Sequence, residues 1–304
     1  MKFTIGRLAT ILVLINLVCS CDKVVNSNKE ALNISTAEYE LIVPERVKGM
    51  LMVLPCYPCT IESSATEFSI DSIAISRGYG IMRMAFNQRL WLSEKEKQQL
   101  KELIESVLTE NGLVKVPLFI GGFSSGGNIA LLLANYLEDN ESVLPLKGIY
   151  VVDAPVDLGL LWSTALLNLE RDSSNLEAQM IHRQFTASFG GGDSSRYAIK
   201  QVSPLNAVAK NPLKNLQALK RIAICLYTES DTSWWRQNRG VGYRATNSYP
   251  LELMYQEARK TSEFGIEFIR TTDKGYRVDG SRHPHSWSIV DKKELITWMD
   301  RQMK

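Results

Sequence analysis

From about residue 39 onward the chain alternates apolar, strand-like runs with segments of helical period. Glu40–Val43, Gly49–Leu54 (GMLMVL), Tyr79–Phe86 (YGIMRMAF), Val116–Ile120 (VPLFI), Leu146–Val152, Arg221–Tyr227 (RIAICLY) and Ile266–Thr271 read as strands. Between them, Ile73–Gly78 reads as the end of a helix, and Ser93 caps a helix from Glu94 to about Thr109, with Glu96 three residues after the cap. Asn128–Leu137 is apolar enough for a buried helix, and Ile289–Met303 closes the chain as another. This alternation predicts an α/β fold, a mostly parallel sheet flanked by helices. Between Asp157 and Leu219 no strand is visible, and the stretch is longer than a crossover needs. A helical cap insertion over about 157–219 is expected.

The first residues follow a different rule. Lys2 and Arg7 precede an apolar run from Leu8 to Val18 of about 11 residues, long enough for a signal-peptide core and too short to span a bilayer. Val18-Cys19-Ser20-Cys21 follows, which resembles a bacterial lipobox. Residues 1–20 are therefore expected to be a lipoprotein signal peptide, and Cys21 the lipidated residue. The polar, Asn/Ser-rich segment after it predicts a flexible tether over 21–38, with the domain starting at 39. The expected location is exported and membrane-anchored, in the periplasm or at the cell surface.

Charge adds little beyond this. Lys+Arg exceeds Asp+Glu by 35 to 33, and both extra positives lie in the leader. The remainder is neutral, so no nucleic-acid-binding surface is indicated. In an oxidising compartment Cys56-Tyr57-Pro58-Cys59 reads as a possible local disulfide. It follows a strand and lacks the βαβ setting of a redox motif, and no further ligands at fitting spacing suggest a metal site.

The strongest chemical signal is a strand, then Gly122-Phe123-Ser124-Ser125-Gly126, then a helix. A sharp turn of this kind forces the serine into strained backbone geometry and lifts its Oγ above the sheet, beside the N–H groups of a helix start. The glycines do not fit a dinucleotide fingerprint, and Asn128 stands where a phosphate loop needs lysine. On this motif and its context the chain resembles the α/β-hydrolase family over nearly all of 40–304. The resemblance implies a serine hydrolase with no cofactor, and the chain order Ser, acid, His.

The chain has three histidines. His182 lies in the expected cap, before the acid. His283 and His285 share the loop before the last helix, where the family places its base, and His285 abuts the helix start. His285 is the expected base and His283 the alternative. The acid is expected after Arg221–Tyr227, where Asp231 falls, with Glu229 as an alternative. In some relatives the acid follows the preceding strand, which brings in Asp153 and Asp157. The oxyanion donors are expected to be the Ser125 N–H and an amide of Cys56 or Tyr57, since Pro55 and Pro58 have none. Arg89, Trp91, Trp234, Trp235 and Arg236 are placed near the mouth, where they would receive a sugar face or an anionic acyl group, or simply pack between loops. The expected reaction is cleavage of a small-molecule or glycan ester by Ser124, His285 and Asp231. A peptidase of the same fold, or a non-catalytic surface lipoprotein binding a glycan or a partner, stands as the alternative.

Overall fold

The computed structural model describes residues 31–86, 89–190 and 193–304. The leader, Cys21 and the first part of the expected tether lie outside the described residues. Eight strands form one sheet: β1 (Leu32–Ser35), β2 (Tyr39–Val43), β3 (Gly49–Leu54), β4 (Tyr79–Met84), β5 (Leu118–Phe123), β6 (Leu146–Val152), β7 (Ala223–Thr228) and β8 (Gly265–Arg270). Their order is β1-β2-β4-β3-β5-β6-β7-β8. The first two strands pair antiparallel at one edge, and every pairing from β4 through β3 to β8 is parallel.

Strand β1 corrects the expected tether boundary. Leu32 to Ser35 pair residue by residue with Val43 to Glu40. Leu32 and Ile34 pack on the core, while Asn33 and Ser35 face solvent. Two apolar residues alternating with two polar ones are enough to hold an edge strand once a partner is present.

The interior strands explain the layers. β3, β4 and β5 are buried along their whole length, so both faces need helices. On one face α3 (Glu94–Glu110), α4 (Ser125–Asp139) and α9 (Ser248–Arg259) share one core with Met50, Met52 and Leu54, α9 lying over β7 and β8. On the other, α1 (Ile61–Phe68), α2 (Asp71–Ser76) and α10 (Lys292–Gln302) cover Leu51, Val53 and Phe119. Helix α3 begins at the Ser93/Glu96 capping box and buries Leu100, Ile104, Val107 and Leu108 as a single stripe. Truncating Ile104 to alanine would cost about 2–5 kcal/mol.

Between β6 and β7 the chain is helical, with α5 (Leu158–Arg171), α6 (Leu176–Phe189), α7 (Asp193–Val202) and a 3-10 segment at Lys214–Arg221. Its helices form a small core of their own around Trp162, Ile181 and Phe185. Trp91, from the loop after β4, stacks into that core against Phe185 and Phe189, at 5.1 and 4.9 Å between centroids. The insertion thereby sits over the carboxyl ends of the parallel strands, the side on which open α/β sheets bind ligands.

Candidate active site

Ser124 ends β5 and heads α4 with φ 55° and ψ −126°, a conformation non-glycine residues avoid. Two neighbours make it affordable. A Cβ on Gly122 would overlap the backbone of Gly126 and Leu54, and one on Gly126 would overlap the carbonyls of Leu54 and Pro55. Glycine at both positions lets the strand, the turn and the helix meet. The serine N–H continues the sheet ladder, donating to Val152 O at 2.8 Å.

Ser124 lines a cavity of about 790 Å³ between the sheet top and the cap, together with His283 and His285. The His285 ring lies on Phe123, the residue before the serine, with 4.3 Å between centroids. Ser124 Oγ forms no hydrogen bond to His285 in this structure. Such bonds often close only when substrate is bound.

His285 Nδ1 is 2.6 Å from Asp153 Oδ2. A carboxylate can only accept here, so Nδ1 is the donor, and Nε2 is the acceptor of the neutral ring. This corrects the expectation that Asp231 would hold the histidine. Asp153 follows β6, is almost fully buried and has φ 42°. Its N–H donates to Tyr227 O at 2.8 Å, and Asn247 Nδ2 donates to its carbonyl at 2.8 Å. Its second carboxylate oxygen accepts from Thr228 Oγ1 at 2.6 Å. Since Thr228 donates there, it accepts from Ser248 Oγ, 2.7 Å away. Thr228 supplies this support.

Asp231 is engaged elsewhere. It caps α8 (Thr232–Arg239) by accepting from Trp234 N at 2.9 Å, and its other oxygen accepts from Arg282 Nη2 at 2.8 Å. Glu229 is buried and also paired to Arg282. It accepts from Thr271 Oγ1, Lys274 N and Gly275 N at 2.9, 2.8 and 3.2 Å. Arg282 stands three residues before His285, so both carboxylates fasten the histidine loop rather than the imidazole. Asp157 caps α5, accepting from Leu160 N at 3.0 Å.

His283 lies against Trp234 and Trp235, at 4.7 and 5.9 Å between centroids. Burial, followed by the proximity of His285, Arg277 and Arg239, pushes its pKa down to about 4. His182 is on α6 and does not line the cavity.

At the expected oxyanion loop, Tyr57 N donates to Ser125 Oγ at 2.8 Å. That amide is therefore occupied by the side chain of the residue after the nucleophile. Cys56 and Cys59 are disulfide-bonded, and Cys59 N closes the turn on Cys56 O at 2.8 Å. Of the aromatic and basic residues placed at the mouth, Trp235 lines the cavity, while Arg89 pairs with Glu96 and Trp91 packs in the cap. Arg239 and Arg277, which the sequence reading did not single out, line it as well. Arg277 had no local signal, because it comes to the site on a hairpin closed by the Tyr276–Arg282 bridge.

No protein-family model matches this sequence, and no curated protein matches it. Solved structures do. A hormone-sensitive lipase from a metagenome library superposes with a TM-score of 0.54 at 12% identity, covering 90% of this chain and 86% of that one. An S-formylglutathione hydrolase from Agrobacterium tumefaciens gives 0.51 at 11%, covering 90% and 95%. Carboxyl esterase 2 from Tuber melanosporum gives 0.51 at 12%, covering 89% and 84%. At these identities the likeness concerns the fold. With the parallel sheet, the strained serine turn and the helical layers, it establishes that this chain has the α/β-hydrolase fold.

Proposed function

We propose that the protein is a serine hydrolase that cleaves a carboxylic ester through an acyl-enzyme. The observation that carries this reading is a serine strained above β5 in one cavity with a histidine whose Nδ1 is held 2.6 Å from a buried aspartate. Ser124 Oγ attacks the acyl carbon as its proton passes to His285 Nε2. The tetrahedral oxyanion collapses, the C–O bond to the alcohol breaks, and the imidazolium returns the proton to the departing oxygen. Water then gives a proton to His285 as it attacks the acyl carbon, the acyl–Oγ bond breaks, and the imidazolium returns that proton to Ser124 Oγ, releasing the acid. Asp153 keeps the imidazole in the required tautomer and balances its charge while it is protonated.

The Ser125 N–H at the start of α4 is one oxyanion donor. The second is the Ser125 hydroxyl, which accepts from Tyr57 N and so keeps its own hydrogen to give. Several fold neighbours named as esterases or hydrolases support ester chemistry over peptide cleavage. Export with a lipid on Cys21 is part of the same proposal, supported by the leader pattern and by the Cys56–Cys59 bond.

The test is intact mass of the soluble domain after treatment with a fluorophosphonate, beside Ser124→Ala. One adduct on the parent and none on the variant is the expected result. A folded parent that takes no adduct would remove the enzyme reading and leave a binding lipoprotein in its place.

A further inference from the structure

Arginines around this cavity fall into two kinds. Arg282 is matched by three carboxylates, Glu229, Asp231 and Asp273. Among the described residues, Arg239, in the last turn of α8, and Arg277, on the hairpin before the histidine loop, form no ion pair with a carboxylate. Both nevertheless line the same cavity as Ser124 and His285. The Arg277 guanidinium lies 6.0 Å over the Phe123 ring, the ring on which His285 also rests. Its positive charge is thus held beside the residue that precedes the nucleophile.

The other charges do not cancel this pair. Asp279, two residues after Arg277, feels its charge but accepts from Ser281 N at 2.8 Å and makes no ion pair with it. Asp172 and Glu177 line the cap side of the cavity. Asp172 accepts from the amide and hydroxyl of Ser174 at 2.9 and 2.6 Å, and Glu177 sits in the first turn of α6, where the helix end favours it. Among the described residues, the cavity therefore holds two cations with no carboxylate in ion-pair contact, and its cap side holds two acids already provided for. Guanidinium groups are weakly hydrated and shaped to take a carboxylate or phosphate in a fork.

We propose that Arg239 and Arg277 form an anion-binding subsite, and that the ester this protein cleaves carries a negative group, carboxylate or phosphate, next to the scissile bond. The inference rests on the hydrolase reading above and narrows its substrate class. Trp235, on the same helix as Arg239 and lining the same wall, gives the neighbouring carbon skeleton a flat apolar contact.

Two matched ester pairs test it. The mono-p-nitrophenyl ester of terephthalate and its methyl-capped counterpart place or remove the charge on the acyl side. p-Acetoxybenzoate and its methyl ester do the same on the alcohol side. In the parent, kcat/KM for the charged member of one pair is expected to exceed that of its neutral partner by about tenfold, chiefly through KM, and to lose this preference as salt rises. The Arg239→Gln/Arg277→Gln variant should bring the ratio close to unity, whereas Arg236→Gln, on the same helix but off the cavity, should preserve it. Fluorophosphonate labelling at Ser124 reports that each variant is folded with its nucleophile assembled. Binding of terephthalate to Ser124→Ala protein, with and without the arginine substitutions, reads the subsite without turnover. Equal charged-to-neutral ratios in parent and double variant, or terephthalate affinity unaffected by the two substitutions, would overturn the subsite. Loss of labelling and of neutral-ester turnover in the parent, with terephthalate still bound through the arginines, would overturn only the hydrolase reading.

Discussion

The loops after β6 and β7 both present carboxylates at the sheet top, and the two loops use them in opposite ways. Asp153 after β6 is nearly inaccessible, held at positive φ, and reaches His285 with one oxygen and Thr228 with the other. Glu229 and Asp231 after β7 reach a single arginine, Arg282, and through it the loop that carries the histidine. A carboxylate beside a histidine tunes a proton-transfer group, whereas a carboxylate beside a guanidinium, which does not titrate, acts as a fastener. The position of an acid in the chain therefore says less about its role than the nature of the cation it meets.

The sharpest way to break this comparison is to remove one acid from each loop. Asp153→Asn is expected to lower kcat/KM by on the order of 10⁴-fold, the loss typical when the imidazole tautomer is no longer fixed. Asp231→Asn is expected to lower it by less than about tenfold. Steady-state kinetics on a neutral ester decide between them, and equal losses would mean that the two loops share the acid role.

Next in size is the fastener. Arg282→Gln leaves Glu229 buried without its cation, which should cost about 3–5 kcal/mol in denaturant unfolding. Glu229→Gln keeps most of the local hydrogen bonds and should cost less. A destabilisation below about 1 kcal/mol for Arg282→Gln would mean that the histidine loop is held by other contacts.

Thr228 sharpens the other side. Thr228→Val removes a buried hydrogen bond to the Asp153 carboxylate, and kcat/KM should fall by about 10- to 100-fold, in line with 1.5–3 kcal/mol for bonds to charged groups. Thr228→Ser should restore most of the rate, which a mere packing role would not give. Rates for Thr228→Ser no better than for Thr228→Val would remove the hydroxyl from the account.

The smallest effect concerns His283, packed on Trp234 and Trp235 of the β7 side. Its folded pKa of about 4 lies below the ordinary 6.5. Between these values the unfolded chain binds a proton that the folded chain does not. Stability should therefore fall as pH drops through that window and level off below about 4. His283 is only half-buried, so with solvent screening the step should be about 1 kcal/mol. Unfolding midpoints of parent and His283→Gln across this range would show the step in the parent alone.

The fold was legible because interior parallel strands must be apolar on both faces, and GMLMVL announces this without help from the rest of the chain. The elbow was legible because its constraint is local, two glycines within two residues of the serine. His285 stood out through scarcity and position, and it is the histidine that meets a buried aspartate in the Ser124 cavity. The carboxylate that meets it did not stand out, because Asp231 is taken up by Arg282, 51 residues beyond it, while Asp153 reaches the ring from the neighbouring strand end. Strand β1 was hidden for a related reason, since two apolar residues in a polar segment become a strand only beside β2. The Tyr57 amide looked free in the sequence, and only the folded chain brings Ser125 Oγ to it.

The proposed place of the histidine's carboxylate partner, just after β6, has an evolutionary consequence. Ser124, Asp153 and Thr228 stand side by side at the ends of three neighbouring strands, tied by Ser124 N to Val152 O, Asp153 N to Tyr227 O and Thr228 Oγ1 to Asp153 Oδ1. Helix α8, which follows β7, then carries none of the proposed catalytic groups while still forming part of the cavity wall. Its exposed face is free to drift, and with it the preference for one ester over another, without passing through inactive intermediates. A randomised library confined to that helix should retain mostly active members of altered selectivity, a degree of evolvability that an acid anchored at the start of the same helix would have denied it.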